Sequence, residues 1–288
     1  MDNEIKNINA RKSWNSFWKV VFFICTTIGV LFLLILMYQI LSVGLKNLDW
    51  QFLTSMPSRI AKKAGVKAAF FGSLYIMGIT AAVAFPLGIG SAVYLYEYAP
   101  HNKLTSFIQL NIANLAGVPS IVYGMLGLSL FAKTLMLGES LLTGGLTLAL
   151  LILPVIITSS QEALKTVPDS LRQNALALGV TRWQMITGVV LPFAAPGIVT
   201  GCILAISRGL GEAAPLIVAG AVGIILKIPT SLMSQYTVLP IQIYDWSGRP
   251  QAEFQEIAST GIIVLLAILL SFNVLAIVIR NKYGKRYE

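Results

Sequence analysis

Long apolar runs alternate with short polar segments along this chain. A helix that crosses the apolar part of a bilayer needs about 20 residues, and six runs reach about that length. In approximate bounds they occupy residues 18–43, 68–96, 107–131, 141–160, 185 onward and 257–279. The pattern therefore predicts an all-α, polytopic membrane protein with six transmembrane helices.

The fifth run is too long for a single straight crossing. Apolar sequence continues from Met185 to about Leu226. It is interrupted by several prolines and glycines, namely Pro192, Pro196, Gly197, Gly201, Gly209, Gly211 and Pro215. Irregular backbone is tolerated at membrane depth only where protein or water covers it. We expect one spanning helix here, followed by a bent or re-entrant outer piece.

Composition supports a membrane protein and argues against several kinds of chemistry. Of the 288 residues, 56% are hydrophobic and only 11% are charged, whereas a soluble domain carries about 25% charged residues. Cys25 and Cys202 lie in apolar runs, and the single histidine, His101, lies in a short polar turn. These residues offer no spacing for a metal site or for Ser–His or Cys–His catalysis. We expect one transmembrane domain over residues 1–288, with no metal and no enzyme activity of its own.

The net charge of +9 is carried mainly by residues that flank the apolar runs. Basic residues at such positions orient the spans, with the more basic side in the cytoplasm, so the charge needs no nucleic-acid partner. The N-terminal arm and the C-terminal tail are both basic, and six spans place them on one side. Both termini are therefore predicted to be cytoplasmic, together with loops 97–106 and 161–184, whereas the basic segment 46–67 lies outside. In this arrangement the lipid bilayer surrounds the chain.

The loop at about 161–184 has the pattern of a short helix between two spans. Pro168 interrupts the segment, and Asp169 or Ser170 is expected to cap the helix that follows it. Gly179 is placed to end that helix, since glycine readily adopts the left-handed conformation found after a helix C-terminus. The sequence predicts a short helix that lies across the cytoplasmic surface.

An apolar stripe runs along this predicted helix. Leu171, Ala175 and Leu178 fall at spacings of four and three residues, so they share one face. Two interpretations explain a stripe of this kind. It packs against the body of the same chain, or it docks on another protein.

The loop resembles the coupling loop of ABC importer permeases. Their pattern is Glu-Ala-Ala, three residues, Gly, nine residues and Ile-x-Leu-Pro. This chain keeps every spacing, with Gln173, Asn174, Ala175, Gly179, Val189, Leu191 and Pro192. Gln173 and Asn174 depart from the family's Glu and Ala. The resemblance implies that Gln173, Asn174, Ala175 and Gly179 belong to the surface that couples a permease to its ATPase subunits.

Three longer stretches narrow the resemblance to the phosphate-transport permeases of the PstA family. They are YLYEYAPHNKLT from Tyr94, NIANLAGVPSIVYGMLGLSLF from Asn111, and SLRQNALALGVTRWQ through LPFAAPGIVTG to RGLGEAAPL. This resemblance implies a MetI-like fold of the type I ABC importer kind, paired with a PstC-like permease. It also implies two PstB-like ATPase subunits that bind ATP and Mg, and a PstS-like phosphate-binding protein outside. This chain has no GxxxxGK[ST] phosphate loop, so we expect it to hold no cofactor itself.

Arg208 and Glu212 place charge within the long fifth run. On a helix, residues four apart face the same way, and an arginine at mid-membrane costs about 2.5–3.5 kcal/mol. One hypothesis is an ion pair that only holds structure. The second hypothesis places Arg208 on the transport path, where the parallel N–H groups of its guanidinium bind two phosphate oxygens and Glu212 holds the side chain in place. The resemblance favours this second hypothesis. A straight helix from Pro192 would place Arg208 about 24 Å along, in the outer half of the membrane.

The third run contributes two further candidates, Ser120 and Tyr123. Polar side chains in a span face other helices or a cavity, so these two either pack between helices or line the path. Three other functions remain open at this point. They are an ABC permease for sulfate, molybdate or tungstate, an anion transporter that works without ATP, and an integral-membrane enzyme.

Overall fold

The structure, a computed structural model, describes the backbone of residues 2–284. The basic residues Lys285 and Arg286 of the predicted cytoplasmic tail lie outside this range. Every regular element between residues 2 and 284 is helical. The helices are α1 (Asp2–Gly44), α2 (Trp50–Thr54), α3 (Lys67–Val93), α4 (Lys103–Leu115), α5 (Ser120–Gly127), α6 (Leu141–Lys165), α7 (Asp169–Ala177), α8 (Arg182–Met185), α9 (Leu191–Leu210), α10 (Ala214–Val218), α11 (Leu239–Ser247) and α12 (Ala252–Gly284).

Short π-helical turns extend or join several of these helices. Tyr94–Tyr98 continues α3, Leu128–Thr134 continues α5, and Ile186–Val190 joins α8 to α9. Five continuous helical segments are long and apolar enough to cross a membrane: Trp14–Asn47, Lys67–Tyr98, Leu141–Lys165, Arg182–Leu210 and Ala252–Leu275. The all-α, multi-span prediction is confirmed.

The predicted third span is not one straight helix. It consists of α4 and α5, which meet at an angle of 102°, and only this pair taken together makes a sixth span. Pro119 lies at the bend. Proline lacks a backbone N–H and disfavours helical backbone at the residue before it, so the helix ends there. The hydroxyl of Tyr123 then donates to the carbonyl oxygen of Leu115 at 2.8 Å, which fastens α5 to the last turn of α4.

The core forms around α6, which packs against both α3 and α9. Ile152, Ile156 and Leu164 of α6 are fully buried. Gly88 of α3 and Gly201 of α9 allow the close approach, because an added Cβ would collide with the side chains of Ile156 and Ser159. Small residues at helix contacts are typical of membrane proteins, where packing rather than exclusion of water drives association.

A second core lies where the segment between α1 and α3 meets α11 and the start of α12. Phe52, Trp246 and Phe254 are buried together there. The fifth run follows the predicted course: α9 ends at Leu210, α10 is one short helix, and residues 219–238 are irregular. This irregular backbone returns over the start of α6, where Ser234 O accepts a hydrogen bond from Leu141 N at 3.0 Å. It thereby satisfies a donor that a helix start leaves open.

The segments between spans form two groups. The turn at 94–98 contacts the segment at 164–182, and the segment at 45–66 contacts α11 and α12. The first group joins the two loops that the charge pattern predicts to be cytoplasmic, and their orientation relative to the cytoplasm stays a prediction. The first helix stands apart from this body: the most apolar window of Trp14–Asn47 is unburied, and α1 packs mainly along α12.

Candidate functional site

Arg208 lies in the last turn of α9, and Glu212 lies beyond the helix end, before α10. The expected pair on one helical face therefore does not form as such. The two side chains approach with Arg208 Nε 3.8 Å from Glu212 Oε1. This distance allows electrostatic attraction but is too long for a hydrogen bond.

The guanidinium of Arg208 is open to a ligand. Its side chain is 49% exposed, and that of Glu212 is 22% exposed. Arg208 donates no side-chain hydrogen bond to any residue that the structure describes. An arginine carries five N–H donors and no acceptor, so the donors of this guanidinium are available to a ligand. Its position at a helix C-terminus offsets part of the cost of the charge, because the helix dipole favours a cation there.

Tyr123 is buried, and its hydroxyl is engaged with Leu115 O across the α4–α5 bend. Ser120, three residues earlier on α5, is half-buried at the start of that helix. The helix that carries both residues packs against α10, which begins two residues after Glu212. The fold thus brings α5 close to the segment that follows Arg208.

The predicted loop helix is α7, and it ends as expected. Gly179 has φ +81°, the left-handed conformation that favours glycine after a helix. The predicted cap is wrong in detail. The residue before the helix is Pro168, which makes no side-chain cap, and Asp169 is the first helical residue.

The apolar stripe is only partly buried. Ala175 is buried and Leu171 packs against the main core, but Leu178 is 85% exposed. Leu178 does not share the packed face of Leu171 and Ala175, because α7 ends at Ala177. Leu171 and Ala175 therefore pack against the body of the chain, whereas Leu178 is free to contact another protein.

A patch of exposed side chains remains around α7, here called the coupling surface. It comprises Gln173, Asn174, Leu176, Leu178 and Trp183, and all five are exposed. Exposed apolar side chains rimmed by polar ones mark a site for another protein. The sequence identified Gln173 and Asn174 as members of this surface, and it left open whether Leu178 packs inward or faces another protein.

Sequence reasoning also missed Glu97 and Arg172. Glu97 Oε1 lies 3.0 Å from Arg172 Nη2, and the two side chains are only 5% and 12% exposed. The residues are 75 positions apart, so no local spacing links them. The available signal was a glutamate within the tyrosine-rich end of a span, together with a charged loop at 161–184 predicted on the same side of the membrane.

Fold and site together define a class: a multi-span membrane permease, with an open arginine at the end of a broken span and an exposed docking helix at one end. The chain belongs to the family of binding-protein-dependent transport system inner membrane components, whose model matches residues 84–287. It is therefore a multi-pass subunit of an inner-membrane transport system.

Individual proteins agree with this family. The chain is 36% identical to the "Probable ABC transporter permease protein YqgI" of Bacillus subtilis (strain 168), over 89% of this chain and 91% of that protein. It is 37% identical to the "Phosphate transport system permease protein PstA 1" of Mycobacterium tuberculosis (strain CDC 1551 / Oshkosh), over 78% of this chain and 73% of that protein. The fold is similar to that of a solved bacterial alginate ABC transporter, with a TM-score of 0.68 and 16% identity, over 93% of this chain and 96% of that one. The predicted MetI-like ABC permease fold is confirmed.

Proposed function

We propose that this chain is the PstA-like permease subunit of an ATP-driven importer of inorganic phosphate. The names of its relatives support the substrate. The observation that carries the proposal is the half-exposed guanidinium of Arg208, which leaves its donors unused at the end of an apolar helix.

Phosphate suits this arginine on chemical grounds. A guanidinium offers parallel N–H donors that match two oxygens of a phosphate, and such charge-assisted pairs are short and strong. Arginine is also less tightly hydrated than lysine, so it loses its own water at lower cost when it binds an anion.

In this proposal, Glu212 adjusts the affinity of the site for phosphate. A transport site must bind well enough to admit an ion and weakly enough to release it. The carboxylate of Glu212 lies 3.8 Å from Arg208 Nε, so it neutralises part of the positive charge without occupying the fork by a hydrogen bond. Phosphate then binds to Arg208 transiently, and Tyr123 and Ser120 support the wall beside it.

The driving force comes from partner subunits. Two PstB-like ATPase subunits, which bind ATP and Mg, would dock on the coupling surface and move α7 as they close. A PstC-like permease would complete the membrane path, and a PstS-like protein would deliver phosphate from outside. In this scheme the chain conveys motion and binds the anion but performs no chemistry.

Reconstitution tests the proposal. The complex is purified with its partner subunits and placed in lipid vesicles with the phosphate-binding protein. We expect ATP hydrolysis that rises with phosphate, together with ATP-dependent uptake of labelled phosphate. Uptake that sulfate or molybdate suppresses more strongly than unlabelled phosphate would assign a different oxyanion. Uptake that persists without ATP would contradict the coupling to ATPase subunits.

A further inference from the structure

Arg172, in the middle of α7, uses its whole hydrogen-bonding capacity. Its Nε and Nη2 reach Glu97 Oε1 at 3.2 and 3.0 Å, and Nη2 also donates to Leu164 O at 2.9 Å. Its Nη1 donates to Val167 O at 2.6 Å and to Asp169 Oδ1 at 3.0 Å. Since a guanidinium has five N–H donors, none is left for another protein. Unlike the half-exposed guanidinium of Arg208, the guanidinium of Arg172 is therefore engaged within the chain.

The partners of Arg172 belong to different structural elements. Leu164 lies in the last turn of α6, and Asp169 opens α7, whereas Glu97 lies in the π-helical turn that extends α3. Glu97 is buried and the Arg172 side chain is only 12% exposed, so Glu97 depends on Arg172 for neutralisation, whereas Arg172 also reaches Asp169. Removing one member of a buried pair leaves an uncompensated charge, which is far more costly than losing an exposed pair.

A second arginine binds the same turn from the other end of the loop. Arg182, the first residue of α8, donates to the backbone carbonyl of Glu97 and lies over the ring of Tyr98, 5.1 Å from its centre. Arg172 lies 5.5 Å from the centre of the Tyr96 ring. The segment from 172 to 182 is therefore attached at both ends to the turn at 96–98.

From this geometry we infer that the Glu97–Arg172 ion pair is a mechanical link that carries displacement of α7 to α3. The inference rests on the proposed function, in which ATPase subunits move α7. The covalent chain joins α7 only to α6 and to the α8–α9 segment, whereas the ion pair adds α3, which packs along α6. A pull on α7 then moves three spans as one body. Glu97 is a positioning residue in this account, since it acts through Arg172.

The chain offers a matched pair of substitutions on the same arginine. Glu97→Gln keeps the shape of the side chain and removes the buried charge that holds Arg172. Asp169→Asn removes the other carboxylate that Arg172 binds, but Asp169 is 84% exposed and its pair is screened by water. We expect the first substitution to weaken the link and the second to leave it intact.

The first readout is the number of phosphate ions taken up per ATP hydrolysed by the reconstituted complex. Positions that modulate coupling between distant sites change it by roughly 3- to 30-fold. We expect Glu97→Gln to lower uptake per ATP by about that factor, while the ATPase subunits still co-purify. A purely structural role would lower the amount of complex and leave the ratio unchanged. Glu97→Asp, which keeps the charge on a shorter side chain, should restore part of the ratio.

The second readout needs no phosphate. Amide hydrogen exchange is measured in the purified complex with and without ATP and vanadate, at residues 94–98 and at residues 169–177. In the unmodified complex and in Asp169→Asn, nucleotide should change exchange in both segments. In Glu97→Gln the change should persist at 169–177 and weaken at 94–98, where Arg182 still binds the turn. If Glu97→Gln does not assemble, Glu97→Asp is measured in the same way and should show a reduced change at 94–98.

Failure of the proposed function and failure of the inferred link give different results. Absence of phosphate uptake by the unmodified complex would contradict the proposed function, and the exchange experiment would still decide the link. An unmodified complex whose 94–98 segment does not respond to nucleotide would overturn the inference. So would Glu97→Gln with the same coupling ratio and the same response at 94–98 as the unmodified complex.

Discussion

Replacing Arg208 by glutamine tests the anion site most sharply. The substitution removes the charge and the fork but keeps a side chain with two N–H donors. A hydrogen bond to a charged group contributes about 1.5–3 kcal/mol. Because the side chain is half-exposed and only 3.8 Å from Glu212, water and the carboxylate screen part of its charge. We therefore expect Arg208→Gln to lose the free energy of one such hydrogen bond. This loss corresponds to roughly a tenfold to hundredfold fall in phosphate affinity at the site.

The assay is uptake of labelled phosphate into vesicles at matched amounts of assembled complex. Arg208 makes no hydrogen bond to another described residue, so its loss should leave assembly and stability unchanged. We expect Arg208→Gln to lower uptake by about one to two orders of magnitude. Uptake by Arg208→Lys should lie between that of Arg208→Gln and that of the unmodified complex, because lysine keeps the charge but cannot bind two oxygens with parallel N–H groups. Normal uptake by Arg208→Gln at a normal level of complex would refute the role of this side chain.

Three further substitutions test other parts of the account. Glu212→Gln should tighten phosphate binding and slow its release, which would appear as a lower half-saturating concentration with a lower maximal uptake rate; weaker binding would contradict the balancing role. Leu178→Asp should reduce co-purification of the ATPase subunits by about tenfold or more, whereas Met136→Asp, at an equally exposed apolar position in the loop before α6, should not. Gly179→Ala should destabilise the loop by about 1–2 kcal/mol because φ is +81° there, measured as a lower thermal unfolding temperature; Gly188→Ala, where an added Cβ meets nothing within 4 Å, should have little effect.

Much of the fold follows from one-dimensional patterns. Apolar length predicted the spans, and the length of the fifth run with its glycines and prolines from Pro192 to Pro215 predicted a bent outer piece. Both effects depend on residues close in sequence. Gly179 ends α7 for the same reason. The bend at Pro119 was missed although its cause is also local, since the run around it is apolar enough to suggest one continuous span.

The site was predicted less completely because it depends on distant contacts. Arg208 was identified from its cost in an apolar run, but only the fold shows that its guanidinium makes no side-chain hydrogen bond to a described residue. The pair of Glu97 and Arg172 joins residues 75 positions apart, and a sequence without an alignment carries no record of such a contact. Leu178 was expected to share a face with Leu171 and Ala175, but helical spacing applies only as far as the helix extends, and α7 ends at Ala177.

The most direct test of the central claim is a structure of the assembled transporter with phosphate held in its membrane path. The account predicts a phosphate oxygen about 2.7–2.9 Å from a guanidinium nitrogen of Arg208, the length of a charge-assisted hydrogen bond. Phosphate bound elsewhere, with the Arg208 side chain directed toward lipid acyl chains, would contradict it.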